Sequence, residues 1–263
     1  MSRQRLITST LSAVAALGLL AAGCGSTGND SGADSGSGSQ TTLTVFAAAS
    51  LTEAFGTLGK TFEARHKGTK VRFSFGGSDT LAQQINNGAP ADVFAAASPT
   101  TMKQVTDAKN ADGTPRTFVK NRLEIAVPNA NPAKITGLKD LADKKNKVVL
   151  CAPSVPCGAA AQKALKAANL TVTPVSQEKD VKAALTKVSL NEADASLVYR
   201  TDVKSAKGKV KGIDFPEAKG AINAYPIVTV AKAPQKKLAG EFEDLVLSAE
   251  GQKVLTQAGF DKP

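Results

Sequence analysis

Residues 42–62 read TLTVFAAASLTEAFGTLGKTF, and this stretch decides the fold class of the chain. Its first six residues, 42–47, form a short apolar run rich in β-branched side chains and therefore predict a strand. After Ser50, apolar residues recur at the spacing of one helix face, at Leu51, Ala54, Phe55, Leu58 and Phe62. A strand that passes through a short turn into a helix is the repeating unit of an α/β protein.

The alternation of strand and helix continues toward the C-terminus. Further strands are predicted at Lys70–Phe75, Ala91–Ala97, Leu123–Val127, Val148–Cys151, Ala195–Tyr199 and Ile227–Val230, and further helices near Thr80, at Gly158–Ala168, at Asp180–Val188 and at about 235–248 and 250–258. This order predicts an α/β fold with helix-covered, mostly parallel sheets. In such sheets, ligands bind beyond the C-terminal ends of the strands, where loops lead into helices.

The composition fits a globular protein of one large or two small domains. The 263 residues are 42% hydrophobic and 21% charged, which provides enough apolar material for a core. The formal net charge is +10, but the lysines are spread along the chain and do not alternate with aromatic residues. We interpret this charge as solvated surface, with weak attraction to anionic lipids or solutes as the alternative, and expect no nucleic-acid partner.

The scarcity of His and Cys restricts the possible chemistry. The single His, His66, excludes multi-histidine metal sites, and three Cys exclude a four-cysteine zinc site. An exported hydrolase with Ser50 or Ser78 as its nucleophile stays an alternative. Neither Ser lies in a Gly-x-Ser-x-Gly elbow, however, and His66 in a polar run would be the only histidine base.

The N-terminus predicts export. Arg3 and Arg5 precede an apolar stretch at residues 11–22, which is the pattern of a secretory signal peptide. The stretch is too short to span a bilayer comfortably. We expect residues 1–23 to be a signal peptide.

The residues that follow predict a lipid anchor and a tether. Residues 20–24 read LAAGC and resemble a bacterial lipobox, although Ala21 stands where the lipobox has Leu. We expect Cys24 to carry the lipid, with an ordinary secretory signal and a chance Cys as the alternative. Residues 24–40 are rich in Gly and Ser and are predicted to form a flexible linker that holds the domain at the outer face of the cell membrane.

Three predicted turns between a strand and a helix are small and neutral: AAAS at 47–50, FGGS at 75–78 and SVPCG at 154–158. Helix N-termini have backbone N–H groups without intrahelical partners and a partial positive charge, so they favour anions. Ser50 and Ser78 would add hydroxyl donors, although a Ser at such a position also acts as an ordinary N-cap. The spacing alone does not establish that the turns converge.

Five motifs occur along the chain in a defined order: VFAAASLTEAF (45–55), SFGGSDTLAQQI (74–85), GAPADVFAAAS (88–98), VPCGAAAQKAL (155–165) and DASLVYRTD (194–202). Together they resemble the molybdate-binding proteins of bacterial ABC importers, the ModA-type family, over nearly all of residues 43–260. The resemblance implies a type II periplasmic-binding-protein fold with two α/β lobes and a ligand cleft between them. It implies lobe 1 at residues 41–122 plus 229–263 and an inserted lobe 2 at residues 123–228.

The resemblance also implies five ligand-binding residues. Ser50 and Ser78 correspond to hydroxyl donors of the first two turns, and Tyr199 corresponds to the phenol donor of the family's Val-Tyr motif. Cys157 and Val181 correspond to positions that donate through the backbone N–H. By this resemblance the chain is a monomeric receptor, not an enzyme. It would capture molybdate or tungstate and deliver it to an ABC permease without a cofactor.

These donors suit a tetrahedral dianion. Molybdate and tungstate carry no proton at neutral pH, so their pocket should offer hydrogen-bond donors and no acceptors. Each charge-assisted hydrogen bond contributes roughly 1.5–3 kcal/mol. A receptor of the same fold for sulfate or phosphate stays an alternative. Iron is disfavoured, because iron-binding relatives use adjacent Tyr residues and Tyr199 and Tyr225 stand 26 positions apart.

Two features depart from the family pattern. Asp79 would repel a dianion if it faced the pocket and would suit a protonated anion such as hydrogen phosphate, whereas facing solvent or capping the next helix would be favourable. Cys151 and Cys157 flank a short loop and are predicted to form a disulfide, with free thiols or a soft-metal site as alternatives. The disulfide would preorganise the loop that presents the Cys157 N–H.

Overall fold

The computed structural model describes residues 40–263. The predicted signal peptide, the predicted lipid attachment site Cys24 and the linker up to residue 39 lie outside these described residues. No helix between residues 40 and 263 is both long and apolar enough to cross a membrane.

Residues 40–263 form ten strands and eight α-helices. The strands are β1 (Thr41–Ala48), β2 (Thr69–Gly76), β3 (Val93–Ala95), β4 (Ala111–Asn121), β5 (Leu123–Pro128), β6 (Val148–Cys151), β7 (Ser176–Glu178), β8 (Ala195–Tyr199), β9 (Val210–Ile213) and β10 (Asn223–Val230). The helices are α1 (Thr52–Arg65), α2 (Ser78–Asn86), α3 (Pro99–Asp107), α4 (Pro156–Ala167), α5 (Val181–Ser189), α6 (Arg200–Ser205), α7 (Lys236–Leu247) and α8 (Ala249–Ala258). The predicted α/β class is confirmed.

The strands form two five-stranded sheets, which define two lobes. The first sheet has the order β2-β1-β3-β10-β4 and, with its helices, is called lobe 1; the second has the order β7-β6-β8-β5-β9 and is called lobe 2. The chain leaves the first sheet after Asn121, enters the second at Leu123 and returns at Asn223. The predicted boundary between residues 228 and 229 lies within β10, whose first residue is Asn223.

Both sheets are mixed. In lobe 1, β1 is parallel to β2 and β3, whereas β10 is antiparallel to β3 and β4. In lobe 2, β6 is parallel to β7 and β8, whereas β5 is antiparallel to β8 and β9. Parallel pairs are thus half of the pairings between residues 40 and 263, fewer than predicted. Each antiparallel pair includes β5 or β10, the strands with which the chain enters a sheet from the other lobe. Antiparallel neighbours do not need the helical crossover that connects parallel strands.

Strand β4 and helix α3 were not predicted from the sequence. Strand β4 contains Asp112, Gly113 and Pro115, which are residues typical of turns. It lies at the edge of its sheet and pairs with β10 alone, and an edge strand tolerates a proline that a central strand would not. Helix α3 begins at Pro99 and has Ser98 as its N-cap, so a start signal was present.

Buried apolar side chains pack on both faces of the lobe 1 sheet. Side chains alternate along β1, so Val45 enters a cluster on one face and Phe46 a cluster on the other. The first cluster includes Phe55 of α1 in contact with the rings of Phe118 and Phe242. Lobe 2 has its own continuous core, which includes residues of β5, β6, β8, α4 and α5. Apart from Ala49 of lobe 1, which packs into the lobe 2 core, the two lobes have separate cores, so the cleft between them can carry polar groups.

Candidate functional site

The five residues predicted to bind the ligand line one cavity between the lobes. The empty space among the lining residues, including the part that is open to solvent, is about 200 Å³. Lobe 1 contributes Ser50 and Ser78, and lobe 2 contributes Cys157, Val181 and Tyr199. The other lining residues are Ala48, Ala49, Gly76, Gly77, Ala97, Val155, Pro156 and Asp180.

The topology explains why these turns meet. Strands β1 and β2 are parallel neighbours, and their last residues, Ala48 and Gly76, are register partners. Ser50 and Ser78 follow these strand ends within two residues and therefore emerge at the same edge of the sheet. The parallel strands β6 and β8 similarly direct the turns after them toward the opposite side of the cleft.

Three helix N-termini contribute residues to the lining of the cavity. Helix α2 begins at Ser78, α4 at Pro156 and α5 at Val181. The first N–H groups of a helix have no intrahelical partner, and the helix end carries a partial positive charge. Pro156 lacks an N–H, so Cys157 has the first available backbone donor of α4.

Groups behind the cavity orient two of its hydroxyls. The Ser78 Oγ accepts a hydrogen bond from the backbone N–H of Ala97 at 3.0 Å. The Tyr199 hydroxyl accepts one from the Asn223 side-chain amide at 2.9 Å, and the same amide donates to the Ala97 carbonyl at 2.7 Å. Because both oxygens already act as acceptors, their own hydrogens are available to donate to a ligand.

A second chain of polar groups lies behind Ser50. Its Oγ shares a hydrogen bond of 2.9 Å with the Tyr225 hydroxyl, and the Asn121 amide donates to that hydroxyl at 3.4 Å. When Tyr225 donates to Ser50, the Ser50 hydrogen is free to point into the cavity. Sequence reasoning missed Asn121, Asn223 and the supporting role of Tyr225. These side chains act on residues far away along the chain, so no local sequence pattern identifies them.

Burial keeps the two tyrosines in their donor form. Burial raises the pKa of the Tyr199 phenol well above its usual range, and the neighbouring Tyr225 and Asp202 raise this pKa further. Burial also raises the pKa of Tyr225, partly offset by its hydrogen bond with Ser50. Both phenols therefore stay protonated at neutral pH.

Asp79 lies beside the cavity but does not line it. The residue is 9% exposed, and its Oδ2 accepts a hydrogen bond from the Ser154 hydroxyl at 3.0 Å. Asp79 belongs to lobe 1 and Ser154 to the loop before α4 in lobe 2, so this hydrogen bond crosses the cleft. The carboxylate is not among the groups that line the cavity, and its Oδ1 is buried without a hydrogen-bond partner in the described part of the chain.

The lining of the cavity is rich in donors and poor in charge. Among its lining residues, all within the part of the chain that the structure describes, none is a Lys or Arg. The lining carboxylate, Asp180, is the N-cap of α5 and accepts the Ala183 N–H at 2.8 Å. Its negative charge is therefore stabilised at a helix N-terminus. The cavity can hold an anion with neutral hydroxyls, backbone amides and helix ends.

The loop that carries the Cys157 donor is tightly held. The structure has a disulfide between Cys151 and Cys157, with a Cα–Cα distance of 5.8 Å. Gly158 packs against the backbone so closely that a Cβ there would lie 2.0 Å from the Ala152 carbonyl oxygen. The bond and the close contact both restrict the start of α4.

His66 is separated from both candidate nucleophiles. It is the C-cap of α1, stacks on Phe62 at a ring distance of 4.0 Å and is not among the residues that line the cavity. Its Nδ1 lies 3.5 Å from Glu241. A hydrolase that used Ser50 or Ser78 would therefore lack a histidine base. Between residues 40 and 263, no group of three or more His, Cys, Asp or Glu is placed to hold a metal ion.

Comparison with known proteins identifies the family. A family model described as bacterial extracellular solute-binding protein matches residues 43–261. The chain belongs to this family. The molybdate-binding protein ModA of Mycobacterium tuberculosis is 40% identical to this solute-binding protein over 258 residues, which cover 98% of each chain. These relatives are binding proteins and not enzymes, as the sequence predicted for this chain.

Solved structures support the same fold for this solute-binding protein. The substrate-binding domain of a putative molybdenum ABC transporter from Clostridium difficile is 30% identical, with a TM-score of 0.63 over 85% of this chain and 99% of that one. The periplasmic molybdate-binding protein of Azotobacter vinelandii has a TM-score of 0.74 over 84% of this chain and 99% of that one. Its 21% identity makes it evidence for the fold alone. The predicted two-lobed periplasmic-binding-protein fold is confirmed.

Proposed function

We propose that this protein is an extracytoplasmic receptor that captures molybdate or tungstate and delivers it to an ABC importer. The observation that carries the proposal is a cavity between two lobes in which hydroxyls, backbone N–H groups and helix N-termini converge without a Lys or Arg among its lining residues. The relatives named as molybdate-binding proteins support the same ligand. The oxyanion is the transported ligand, and the receptor needs no cofactor.

The proposed ligand donors are the five residues predicted from the sequence. Ser50, Ser78 and Tyr199 would donate through their hydroxyls, and Cys157 and Val181 through their backbone N–H groups. A fully deprotonated dianion accepts at all four oxygens, so it can use every donor without needing an acceptor from the protein. At roughly 1.5–3 kcal/mol for each charge-assisted hydrogen bond, five donors are sufficient for tight binding after the cost of ordering the lobes.

Closure of the lobes is proposed to complete the site. Two donors come from lobe 1 and three from lobe 2, so neither lobe alone surrounds the anion. From the strand bounds, we propose lobe 1 at residues 41–122 plus 223–263 and lobe 2 at residues 123–222. Rotation about the two crossings between the sheets would then open and close the cleft.

The disulfide is proposed to preorganise the site. Cys151 ends β6 and Cys157 is the second residue of α4, so their bond spans the turn that presents one proposed donor. Holding this turn in its bound conformation lowers the ordering cost that ligand binding must overcome.

The membrane attachment of the receptor is a separate proposal. Cys24 lies in a lipobox-like sequence at residues 20–24, ahead of a Gly- and Ser-rich stretch. We propose that residues 1–23 are removed, that Cys24 carries a lipid and that a monomer is tethered at the outer face of the cell membrane. Mass spectrometry of the membrane fraction would detect the lipid on Cys24, and a Cys24→Ala variant that stays membrane-bound would contradict the anchor.

Calorimetric titration tests the ligand. The oxidised protein, dialysed free of anions, would be titrated with molybdate, tungstate, sulfate and phosphate. Tight one-to-one binding of molybdate and tungstate is expected, with little heat from sulfate or phosphate. Binding of sulfate or phosphate alone would replace the ligand but keep the receptor, and absence of binding to all four would reject an oxyanion receptor.

A pair of variants makes the titration specific to the site. Ser78→Ala removes a proposed hydroxyl donor and should weaken molybdate binding about 10- to 150-fold, from the roughly 1.5–3 kcal/mol of one such hydrogen bond. Ser189→Ala is the control, because its hydroxyl donates to the Thr186 carbonyl at the exposed end of α5, at 3.0 Å. Equal losses in both variants would contradict the assignment of Ser78.

A further inference from the structure

An ammonium group bridges the two lobes beside the cavity. The Nζ of Lys182, in lobe 2, lies 2.8 and 2.9 Å from the two carboxylate oxygens of Glu53, in lobe 1. It also donates to the Ser205 hydroxyl at 2.7 Å and lies 3.4 Å from Oδ1 of Asp202. Lys182 therefore sits between one carboxylate of its own lobe and one from the opposite lobe.

Part of this cluster lies entirely within lobe 2. Asp202 is fully buried, and its Oδ2 accepts the backbone N–H of Tyr199 at 3.1 Å. Lys182, Ser205 and Asp202 all belong to lobe 2, so their contacts do not require the lobes to be close.

The contact with Glu53 depends on the position of the lobes. Glu53 lies near the start of α1 with its side chain 51% exposed, and its ion-pair partner within residues 40–263 is Lys182. Rotation of lobe 1 away from lobe 2 would break this pair and leave the Glu53 carboxylate in water. The pair can therefore form only when the cleft is closed.

The pair is directly connected to the proposed ligand donors. Glu53 follows Ser50 by three residues in the first turns after β1, and Lys182 follows Val181 in the first turn of α5. Asp202 holds the backbone of Tyr199. The ion pair between Glu53 and Lys182 thus joins the donor-bearing turns of the two lobes at a position outside the proposed anion site.

We propose that Glu53 and Lys182 are positioning residues that latch the closed cleft and so set how long the oxyanion stays bound. This inference rests on the proposed function, because it concerns the release of that ligand. The latch touches no ligand atom. It acts by favouring the closed arrangement, so its loss should speed release without removing a ligand donor.

The test is a stopped-flow measurement of molybdate release from the full-length protein. Glu53→Gln keeps the size of the side chain and removes its charge. The expected result is release about two- to fivefold faster than in the parent at low salt, which is the range for a partly exposed ion pair. The difference should shrink near 1 M salt, where the screening length is only about 3 Å.

A matched control separates latching from a general loss of negative charge. Glu250 is a lobe 1 carboxylate with similar side-chain exposure, 46% against 51%, and it pairs with Arg65 of the same lobe. Glu250→Gln should release molybdate at the parental rate. The unliganded Glu53→Gln form should unfold at nearly the parental temperature, because between residues 40 and 263 the Glu53 side chain has no ion-pair partner in lobe 1 to lose. Glu250→Gln loses only an exposed ion pair, which contributes little to stability.

The outcomes distinguish the latch from the proposed function. A parental release rate in Glu53→Gln, or equal acceleration in both variants, overturns the latch while leaving the receptor intact. A parent protein that binds neither molybdate nor tungstate instead overturns the proposed function. Faster association of Glu53→Gln without faster release would also overturn the latch, since removing a carboxylate from the cleft alone favours anion entry.

Discussion

Replacing Gly77 by Ala tests whether the cleft must close to within backbone contact around the ligand. Gly77 is the N-cap of α2 in lobe 1, with φ −61° and ψ 129°, which alanine adopts without strain. A Cβ at this position would lie 2.4 Å from the carbonyl oxygen of Lys179 in lobe 2 and 2.8 Å from Oδ1 of Asp79. The Asp79 side chain can rotate away, but the Lys179 oxygen is backbone. Relief of this overlap requires the lobes to separate locally by about 1 Å, since nonbonded carbon atoms prefer separations of about 3.5–4.0 Å and carbon–oxygen contacts are only somewhat shorter.

The cost of this overlap sets the expected loss of affinity. Inserting one methyl group into a tightly packed contact costs about 1–3 kcal/mol. Each 1.4 kcal/mol changes Kd tenfold, so the Kd for molybdate should rise about 5- to 150-fold. The unliganded protein should be affected much less, because in an open cleft the methyl group has no opposing carbonyl. Alanine reduces the conformational freedom of the unfolded chain, which stabilises the protein, but it is a weaker N-cap than glycine, which destabilises it. These two effects oppose each other, so Tm without ligand should stay within about 3 °C of the parent.

Calorimetric titration with molybdate and thermal unfolding without ligand measure the two effects separately. Gly56→Ala is the matched control in lobe 1, because a Cβ there would have no atom within 4 Å. It should leave molybdate affinity unchanged. If Gly77→Ala binds molybdate as tightly as the parent, closure to the observed contact is not required for binding. If Gly77→Ala instead lowers the unliganded Tm by many degrees, its effect is on folding and the argument from lobe closure fails.

Three further predictions follow from the same contacts. Tyr199→Phe should weaken molybdate binding about 10- to 150-fold, from the roughly 1.5–3 kcal/mol of one charge-assisted hydrogen bond, with little change in unliganded Tm. A calorimetric Kd equal to the parent's would contradict its role as a donor. Burial raises the pKa of Asp202 from 3.8 to about 6, so the native state holds this proton more tightly than the unfolded state does. The stabilisation of the folded state by this proton is therefore fully present below about pH 4 and is lost as pH rises through 6, a loss of about 3 kcal/mol at most. In denaturant unfolding, Asp202→Asn should lack this pH-dependent part of the free energy of unfolding. Reducing the Cys151–Cys157 disulfide should lower the free energy of unfolding by about 2 kcal/mol, measured by urea unfolding with and without reductant; no change would show that the bond does not constrain the unfolded chain.

Sequence reasoning succeeded best where a local pattern has a direct structural cause. The helical spacing after Ser50 corresponds to α1, whose apolar face packs on the sheet of lobe 1. The predicted helix at Asp180–Val188 appears as α5 at Val181–Ser189, with Asp180 as its N-cap. Strand β4 was missed because its Asp-Gly and Pro residues are typical of turns, and only its position at a sheet edge makes them acceptable in a strand.

Local sequence patterns also predicted part of the candidate site. The small turns ending at Ser50 and Ser78 and the turn around Cys157 identify helix N-termini, since these residue types satisfy or expose backbone donors at a helix start. The supporting roles of Asn121 and Asn223 could not be predicted from the sequence. They act from 80 and 24 positions away on Thr201 and Tyr199, and no local pattern encodes such a contact.

The sequence by itself determined the α/β class, the order of strands and helices, and which turns carry hydrogen-bond donors. These properties depend on side-chain periodicity and on the preferences of Gly, Ser and Pro, which act over a few residues. Only the tertiary structure decided that the turns meet in one cavity, that Asp79 contacts Ser154 instead of the cavity, and that Gly77 touches Lys179. Those facts depend on how strands from distant parts of the chain pair and how two separate cores face each other, and neither is specified by residues that are close in sequence.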